Sequence, residues 1–200
     1  YTIQHTLSLH DALPISRIDF GSLQVPVDIG LDVRVEVNAE GTPASVTLAG
    51  PAGTMQLGVF AAPRTEGIWD EVRGEIRLSI AQQGGMAEDG VGPFGPELIG
   101  RLPQKSGLVP VRFFGVDGPR WFLRAMLIGP AAADRGAAGP FEQAFRRLVV
   151  VRGESALPVR EAVPIVLPKD LAAQIERGAA GASGAEEPGG SGAAAPRRRR

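Results

Sequence analysis

The stretch "LDVRVEV", residues 31–37, decides the fold, because apolar and charged residues alternate along its whole length. Side chains of a β-strand point alternately to the two faces of a sheet. The four apolar residues therefore share one face of the strand, and Asp32, Arg34 and Glu36 share the other. The pattern predicts a half-buried strand in a sheet that has one polar face.

Further strands are predicted on both sides of this stretch. Upstream, "RIDFGSLQVPV" (17–27) predicts a short strand that breaks at Gly21. Downstream, "SVTLA" (45–49) and "MQLGVF" (55–60) follow the turn compositions "NAEG" and "GPAG", and they complete an antiparallel meander. Later strands are predicted at "ELIGRL" (97–102), "VPVRFFGV" (109–116), "RWFLRAMLI" (120–128), "LVVVR" (148–152) and "VPIVL" (163–167). Asp117-Gly118 predicts the hairpin turn between the second and third of these later strands.

Helices are predicted at three places. Residues 66–83 carry an apolar stripe with a spacing of four, flanked by Trp69 and Leu78, and Thr65 is the predicted cap. Residues 140–148 predict a short helix with Pro140 in its first turn, and residues 168–178 predict a last one. The expected fold class is α+β, with an antiparallel sheet of about six or seven strands packed against two or three helices.

The two ends of the chain differ from its middle. Residues 6–16 coincide, residue for residue, with a translated sequencing adapter, so residues 1–16 are predicted to be a non-native, adapter-derived segment. Residues 17–177 are predicted to form a single α+β domain. Residues 178–200 are rich in alanine and glycine and end in arginine, so they are expected to form a disordered tail.

Composition excludes several chemistries. The chain has no cysteine, and both histidines and the single tyrosine lie within residues 1–16. The native part therefore lacks the imidazole or thiol that triads and His/Cys zinc sites require. No Walker loop is present, so no metal and no cofactor are predicted. No run of 18 apolar residues exists, and no transmembrane segment is predicted.

Charge is distributed unevenly along the chain. Residues 17–176 hold 19 acidic and 16 basic residues, a net charge of −3, whereas residues 177–200 hold five arginines and two glutamates, a net charge of +3. The body is therefore not predicted to bind nucleic acid through bulk charge. The expected nucleic-acid contact is a weak one through the tail, made by Arg197, Arg198, Arg199 and Arg200.

The candidate ligand-binding residues are Arg64, Asp117 and Arg120. Asp117 on a hairpin loop can act as a ligand or a base, and Arg120 beside it can hold an anion. Arg64 can bind an anion at the start of the first helix or pair with Asp70. The structural alternative is that Asp117 shapes the hairpin turn, while Trp69 and Trp121 are core aromatics. Separately, Asp70, Glu71 and Glu75 lie on the first helix, and these carboxylates can act as an acid–base pair or bind a divalent cation. In the favoured interpretation they belong to a solvated face on which Arg73 and Arg77 pair with them.

The segments "FAAPRTEGIWDEVRGEI" (60–76) and "FFGVDGPRWFLRAMLIGPAA" (113–132), with "FGSLQVPV" (20–27), resemble an uncharacterised actinobacterial family, domain of unknown function thirty-seven-ten. The resemblance covers about residues 18–176. It implies an intracellular actinobacterial protein and supplies no activity, substrate or catalytic residue. The order of strands and helices also resembles the small PsbP and Mog sandwich domains, as a fold-level analogy.

Three functions are open at this point. The leading hypothesis is a non-catalytic binding or accessory module in the cytoplasm, with an unidentified protein as its partner. The second is an enzyme that uses carboxylates and arginines, with a cleft near Asp117 and Arg120. The third is weak association with nucleic acid through the arginine tail. A shared pocket of Arg64, Asp117 and Arg120 would favour the enzyme, and scattered positions would count against it.

Overall fold

The computed structural model describes residues 16–27, 30–37, 43–105 and 107–168. These residues belong to a compact unit that ends at Leu167, apart from Pro168, which begins a second unit running to Arg200. The predicted helix at 168–178, apart from Pro168, the predicted tail at 178–200 and residues 1–15 of the segment predicted to be adapter-derived lie outside the described residues. The described elements are β1 (Arg17–Asp19), β2 (Leu23–Pro26), β3 (Asp32–Val37), β4 (Pro43–Gly50), β5 (Gly53–Ala61), α1 (Trp69–Gln82), β6 (Met86–Gly92), β7 (Gly95–Gln104), β8 (Gly107–Gly118), β9 (Trp121–Ile128), α2 (Pro130–Ala133), α3 (Arg135–Arg146) and β10 (Val149–Val150).

The main sheet has seven strands in the order β3-β4-β5-β9-β8-β7-β6, and each neighbouring pair is antiparallel. A second sheet has three strands in the order β1-β2-β10. The α+β prediction is therefore confirmed. The β3–β4–β5 meander pairs as the alternating pattern predicts, with Val33 opposite Leu48 and Val35 opposite Val46.

We call one face of the main sheet the α1 face, because helix α1 covers it over the half formed by β6, β7, β8 and β9. The buried residues Trp69 and Ile80 of α1 belong to a core cluster that includes Leu98 and Phe113 from the strands below. The predicted stripe is confirmed at these positions, but Leu78 is 62% exposed. The helix begins at Trp69 rather than at residue 66. The side chain of its N-cap residue, Ile68, makes no capping hydrogen bond.

Helix α3 contacts the opposite face of the sheet, where the ring of Phe145 meets that of Phe114 edge-on at 4.9 Å. Phe141 and Phe145 are buried, as predicted. The predicted start at Pro140 is wrong, because Asp134 accepts a hydrogen bond from the amide of Gly136 and begins the helix five residues earlier. Pro140 therefore lies inside the helix, where it supplies no amide for the usual bond to residue 136.

Three strand predictions need correction. Strand β6 was not predicted, because "MAEDGVG" has neither alternation nor β-branched residues in number. The predicted hairpin turn at Asp117-Gly118 is wrong, since both residues pair within the ladder and the turn is Pro119-Arg120. Arg120 takes a φ of 67°, as the third residue of such a turn requires. The predicted strand at 163–167 is reduced to isolated pairings of Ala162 with Phe60 and of Ile165 with Gly21.

Residues 158–166 form an irregular segment that we call the strap. Its backbone hydrogen-bonds to the end of β5, through Arg160 N to Ala61 O at 2.7 Å and Val163 N to Val59 O at 2.8 Å. Strand β4 pairs with β5 only as far as Leu57, so the strap takes the place beside β5 that β4 leaves free. The strap thus lies next to the uncovered part of the α1 face.

Candidate functional site

The α1 face changes character along the sheet. Its β6–β9 half is apolar and covered by α1, whereas polar side chains occupy the part formed by β3, β4 and the middle of β5. Glu36 on β3 lies at the centre of this polar part. It accepts hydrogen bonds from Thr47 at 2.8 Å, from Gln56 at 2.9 Å and from Ser45 at 3.0 Å. These bonds, that of Thr47 above all, lower the pKa of the Glu36 carboxyl from its usual 4.5.

Arg124 lies where the polar and apolar parts meet. It is in the middle of β9, and both residues directly opposite it on the neighbouring strands are glycines, Gly58 on β5 and Gly115 on β8. A Cβ atom at Gly58 would lie 2.8 Å from the ring of Phe60, and one at Gly115 would lie 2.6 Å from the ring of Phe122. The two glycines therefore make room for aromatic rings that fold across the sheet on either side of Arg124.

The two rings form the floor of a concave region that we call the Arg124 groove. Phe60 and Phe122 are stacked with their centroids 5.8 Å apart, and the guanidinium of Arg124 lies over the Phe60 ring at 4.9 Å. The groove has two lobes that share Phe60 and Arg124. An apolar lobe of about 160 Å³ reaches toward α1, and a polar lobe of about 330 Å³ reaches toward Glu36 and the strap.

Arg124 has no bonded counter-charge in this groove among the described residues. Among the residues that the structure describes, it donates no hydrogen bond and forms no ion pair, and its recorded contact is the Phe60 ring. The side chain of Arg124 is half-buried, and the hydration lost through this burial lowers the pKa of its guanidinium. A half-buried cation without a counter-charge is costly, and an anionic ligand would remove that cost.

The carboxylates near Arg124 are already satisfied. Glu36 is held by three neutral donors. At the other end of the groove, Arg160 of the strap bonds Glu75 at 2.7 Å and Glu71 at 2.6 Å. Those bonds, to Glu71 first, raise the pKa of the Arg160 guanidinium. Arg160 has a φ of 73°, so its backbone is held in a conformation that non-glycine residues seldom adopt.

The charged side chains of α1 form ion pairs, as predicted, but Arg73 and Arg77 bond carboxylates other than Glu71 and Glu75. Arg73 bonds Asp70 at 2.8 Å and Asp89 of β6 at 2.9 Å, and Arg77 also bonds Asp89. The two glutamates at 71 and 75 bind the strap instead. Arg64 is exposed and does not pair with Asp70, whose recorded ion-pair partner is Arg73.

Asp117 has a definite structural contact. Its carboxylate accepts hydrogen bonds from the amides of Ile68 at 2.9 Å and Trp69 at 3.3 Å, so it caps α1 from strand β8. The predicted cap Thr65 is therefore wrong, because the acceptor comes from a residue 49 positions later in the chain. Trp69 is a core residue, and its indole donates to the carbonyl of Pro96 at 2.6 Å.

The three sequence-predicted ligand-binding residues do not meet in the Arg124 groove. The carbonyl of Arg120 accepts hydrogen bonds from Ala62 N at 3.0 Å and Arg152 Nε at 3.1 Å, and its side chain does not line either lobe. Neither Arg64 nor Asp117 lines a lobe. Their role as ligand-binding residues stays a prediction, as does the role of the arginines at 197–200, which lie outside the described residues.

The sequence carried an unused signal for Arg124. Within "RWFLRAMLI" it alternates with Phe122 and Met126, which places it on the same face as core residues. A charge at such a position is either paired or functional. Its glycine neighbours could not be recognised without the strand register, because they come from two other segments of the chain.

A second set of charges was also missed, on the face opposite α1. Arg112 is 1% exposed and bonds Glu142 of α3 at 2.8 Å, and it lies 4.0 Å from Glu97, which is equally buried. Arg135 of α3 bonds Glu97 from the outside. Two cations and two anions balance, so this network joins α3 to the sheet. Within this network, Arg112 Nε is buried without a hydrogen-bond partner among the described residues.

Within 16–27, 30–37, 43–105 and 107–168, no three histidine, cysteine, aspartate or glutamate side chains come together as a metal site would require. Over the same part of the chain, no helix has the length and apolar character needed to cross a bilayer.

The fold and the groove define an α+β domain with one long antiparallel sheet and a cationic recess on its half-covered face. The chain belongs to the family described as protein of unknown function (DUF3710), which it matches over residues 5–174. No curated protein matches the chain. Among solved structures, it is similar to cyanobacterial PsbP (CyanoP) from Synechocystis sp. PCC 6803, with 12% sequence identity and a TM-score of 0.45 over 68% of this chain and 92% of that one.

Proposed function

We propose that the protein is a non-catalytic binding module that holds the anionic group of its ligand on Arg124. One observation carries the proposal: this half-buried guanidinium lines both lobes of a groove and has no acceptor among the described residues. Arginine presents several N–H donors in a planar fork that suits a carboxylate or a phosphate. We also propose that the protein works in the cytoplasm of an actinobacterium, as an accessory module with a protein partner.

The non-catalytic part of the proposal is supported by the state of the acids around the groove. A general acid or base works best when its pKa is near the working pH. The Glu36 carboxyl has a lowered pKa and three donors, so it is a poor base. Glu75 is tied to Arg160. With these carboxylates held by hydrogen bonds and an ion pair, the groove is suited to binding, in which the guanidinium of Arg124 donates to the ligand and no proton is transferred.

The proposal is tested by titrating the intact protein with sodium acetate and with inorganic phosphate at constant ionic strength. Binding is followed through the NMR signals of the arginine Nε–H groups and of the Gly58 and Gly115 amides. Replacing Arg124 by glutamine should weaken acetate binding about tenfold or more, because a charge-assisted hydrogen bond contributes about 1.5–3 kcal/mol. Arg124→Lys should be intermediate, since it keeps the charge and loses the fork.

The matched control is Arg101→Gln, which removes an exposed arginine of β7 that does not line the groove. Arg101→Gln should bind both anions as the wild type does. The proposal is wrong if Arg124→Gln, shown to be folded by its unfolding curve, binds acetate and phosphate with unchanged affinity. It is equally wrong if neither anion shifts the signals of the groove in the wild type.

A further inference from the structure

We infer that the ligand of the Arg124 groove is a small aromatic monocarboxylate, with its carboxylate on Arg124 and its ring in the apolar lobe. This inference rests on the proposed function and names the class of ligand. It follows from three features of the groove: the volume and lining of the apolar lobe, the balance of charge at its rim, and the orientation of its aromatic floor.

The apolar lobe limits the size of the ligand. Its volume of about 160 Å³ corresponds to about five water molecules, whereas sites for larger ligands span about 300–1,000 Å³. A nucleotide or an extended cofactor would not fit within this lobe alone and would have to extend into the polar lobe of about 330 Å³. Apart from the charges at its rim, it is lined by Phe60, Ile68, Val72 and Phe122. A single ring or a chain of similar volume would remove this surface from water.

The charged groups at the rim favour a ligand with a single negative charge over one with two. Two arginines line the lobe, but Arg160 is already matched by Glu71 and Glu75. The rim thus carries two arginines against two glutamates, and Arg124 is the one of these four groups that has no hydrogen-bond or ion-pair partner among the described residues. A dianionic phosphate would bring a second negative charge close to Glu75, which also lines the lobe, with no cation left to offset it. The groove therefore favours a carboxylate over a phosphate.

The floor of the lobe favours a flat body. Trp69, Phe122 and Phe60 form a continuous series of stacked rings, with centroid separations of 5.6 and 5.8 Å and interplanar angles of 25° and 28°. Arg124 continues the series at 4.9 Å from Phe60. Trp69 does not itself line the lobe, and Phe60 already lies against Phe122 and Arg124. A ligand ring would therefore meet Phe60 and Phe122 at their remaining surfaces, in the offset or edge-to-face geometry that aromatic pairs prefer, with its carboxylate toward the guanidinium of Arg124.

The experiment compares three probes by the NMR titration described above: benzoate, acetate and cyclohexanecarboxylate. Benzoate should bind at least tenfold more tightly than acetate, because it alone of these two has a body for the lobe. It should also bind at least threefold more tightly than cyclohexanecarboxylate, which has similar volume but is not flat. In the benzoate complex, we expect nuclear Overhauser effects from the ring protons of the ligand to the Val72 methyl groups and the Phe60 ring.

Two variants of α1 test the location. Val72→Phe fills the lobe and should reduce benzoate affinity to that of acetate, while acetate affinity stays at the wild-type value. Leu78→Phe is the control on the same helix, since Leu78 is 62% exposed and does not line the lobe. It should bind both probes as the wild type does. If Val72→Phe does not fold, the Overhauser effects in the wild type decide the location alone.

The failures of the two proposals are distinguishable. Equal affinity for benzoate and acetate, with both lost in Arg124→Gln, would overturn the aromatic ligand and leave the anion site in place. Equal affinity for benzoate and cyclohexanecarboxylate would also overturn the inference, because the body would then be recognised only as apolar. Benzoate binding that survives Arg124→Gln unchanged would overturn both proposals.

Discussion

Replacing Asp117 by alanine tests whether a residue of β8 sets the start of α1. The carboxylate accepts hydrogen bonds from the amides of Ile68 at 2.9 Å and Trp69 at 3.3 Å. Losing a helix cap costs about 1 kcal/mol, and losing a negative charge at a helix N-terminus costs about 0.3 kcal/mol for an exposed group. We therefore expect Asp117→Ala to lower the free energy of unfolding by about 1.3 kcal/mol, or Tm by about 3–5 °C.

The magnitude can be divided between the hydrogen bonds and the charge. Asp117→Asn keeps only one of the two acceptor oxygens, because an amide nitrogen replaces the other, so it should lose the charge contribution and one of the two hydrogen bonds. Only the charge contribution should fade at about 1 M salt. Gly67 supplies an independent route to the same contact, since a Cβ atom there would lie 2.5 Å from an Asp117 carboxylate oxygen. Gly67→Ala should therefore displace the cap, and its cost should not add to that of Asp117→Ala.

The measurement is urea unfolding followed by the combined fluorescence of Trp69 and Trp121 and by circular dichroism. Asp32→Ala is the control, because this exposed aspartate of β3 lies 3.7 Å from Arg34 in a surface pair that contributes little. It should change the free energy of unfolding by less than about 0.5 kcal/mol. A cost of Asp117→Ala no larger than that of the control, or full additivity with Gly67→Ala, would refute the capping role.

Three other predictions concern charge and strain. The pKa of the Glu36 carboxyl in the folded protein lies below its ordinary 4.5, because of the bond from Thr47 above all. Its carboxylate therefore adds stability above pH 4.5, and this stability is lost as the pH falls through the lowered pKa. Glu36→Gln should flatten the acid limb of the curve of stability against pH, measured by urea unfolding across a pH series. Arg112→Met should cost about 3 kcal/mol in chemical unfolding, because it leaves buried carboxylates without that cation, and a gain in stability would contradict this. Gly53→Ala should cost about 2 kcal/mol or more in the same assay, because Gly53 has a φ of 143° and a Cβ atom there would collide with the carbonyl of Ile128. The control is Gly74→Ala on α1, which has open space around it and should not destabilise the protein.

The elements that could be predicted from the sequence are those whose pattern of apolar and polar residues lies within one continuous segment. The alternation in β3 and the four-residue spacing in α1 each depend on nearby residues, and both elements are present. The start of α1 was misplaced because its cap, Asp117, belongs to another strand. The turn at Pro119-Arg120 was misplaced because Asp117-Gly118 has a composition typical of turns but pairs within the ladder.

The candidate site was less predictable because it depends on strand register. Arg124 matters because Gly58 and Gly115 lie opposite it and because Phe60 folds over one of them. Those residues are far apart in sequence, and each is unremarkable alone. The predicted residues Arg64, Asp117 and Arg120 were chosen by local composition, and the structure gives Asp117 a capping contact and Arg120 a place in a turn.

The strap has a consequence for how the protein must be handled in shortened or fused forms. It occupies the side of β5 that β4 does not reach, through backbone bonds at Val59 and Ala61. A chain cut before Pro158 would present these amides and carbonyls as a bare strand edge beside the Phe60 ring, and such edges recruit strands from other molecules. Truncation at that point should therefore promote self-association and precipitation, whereas a cut after Leu167 should leave the edge protected.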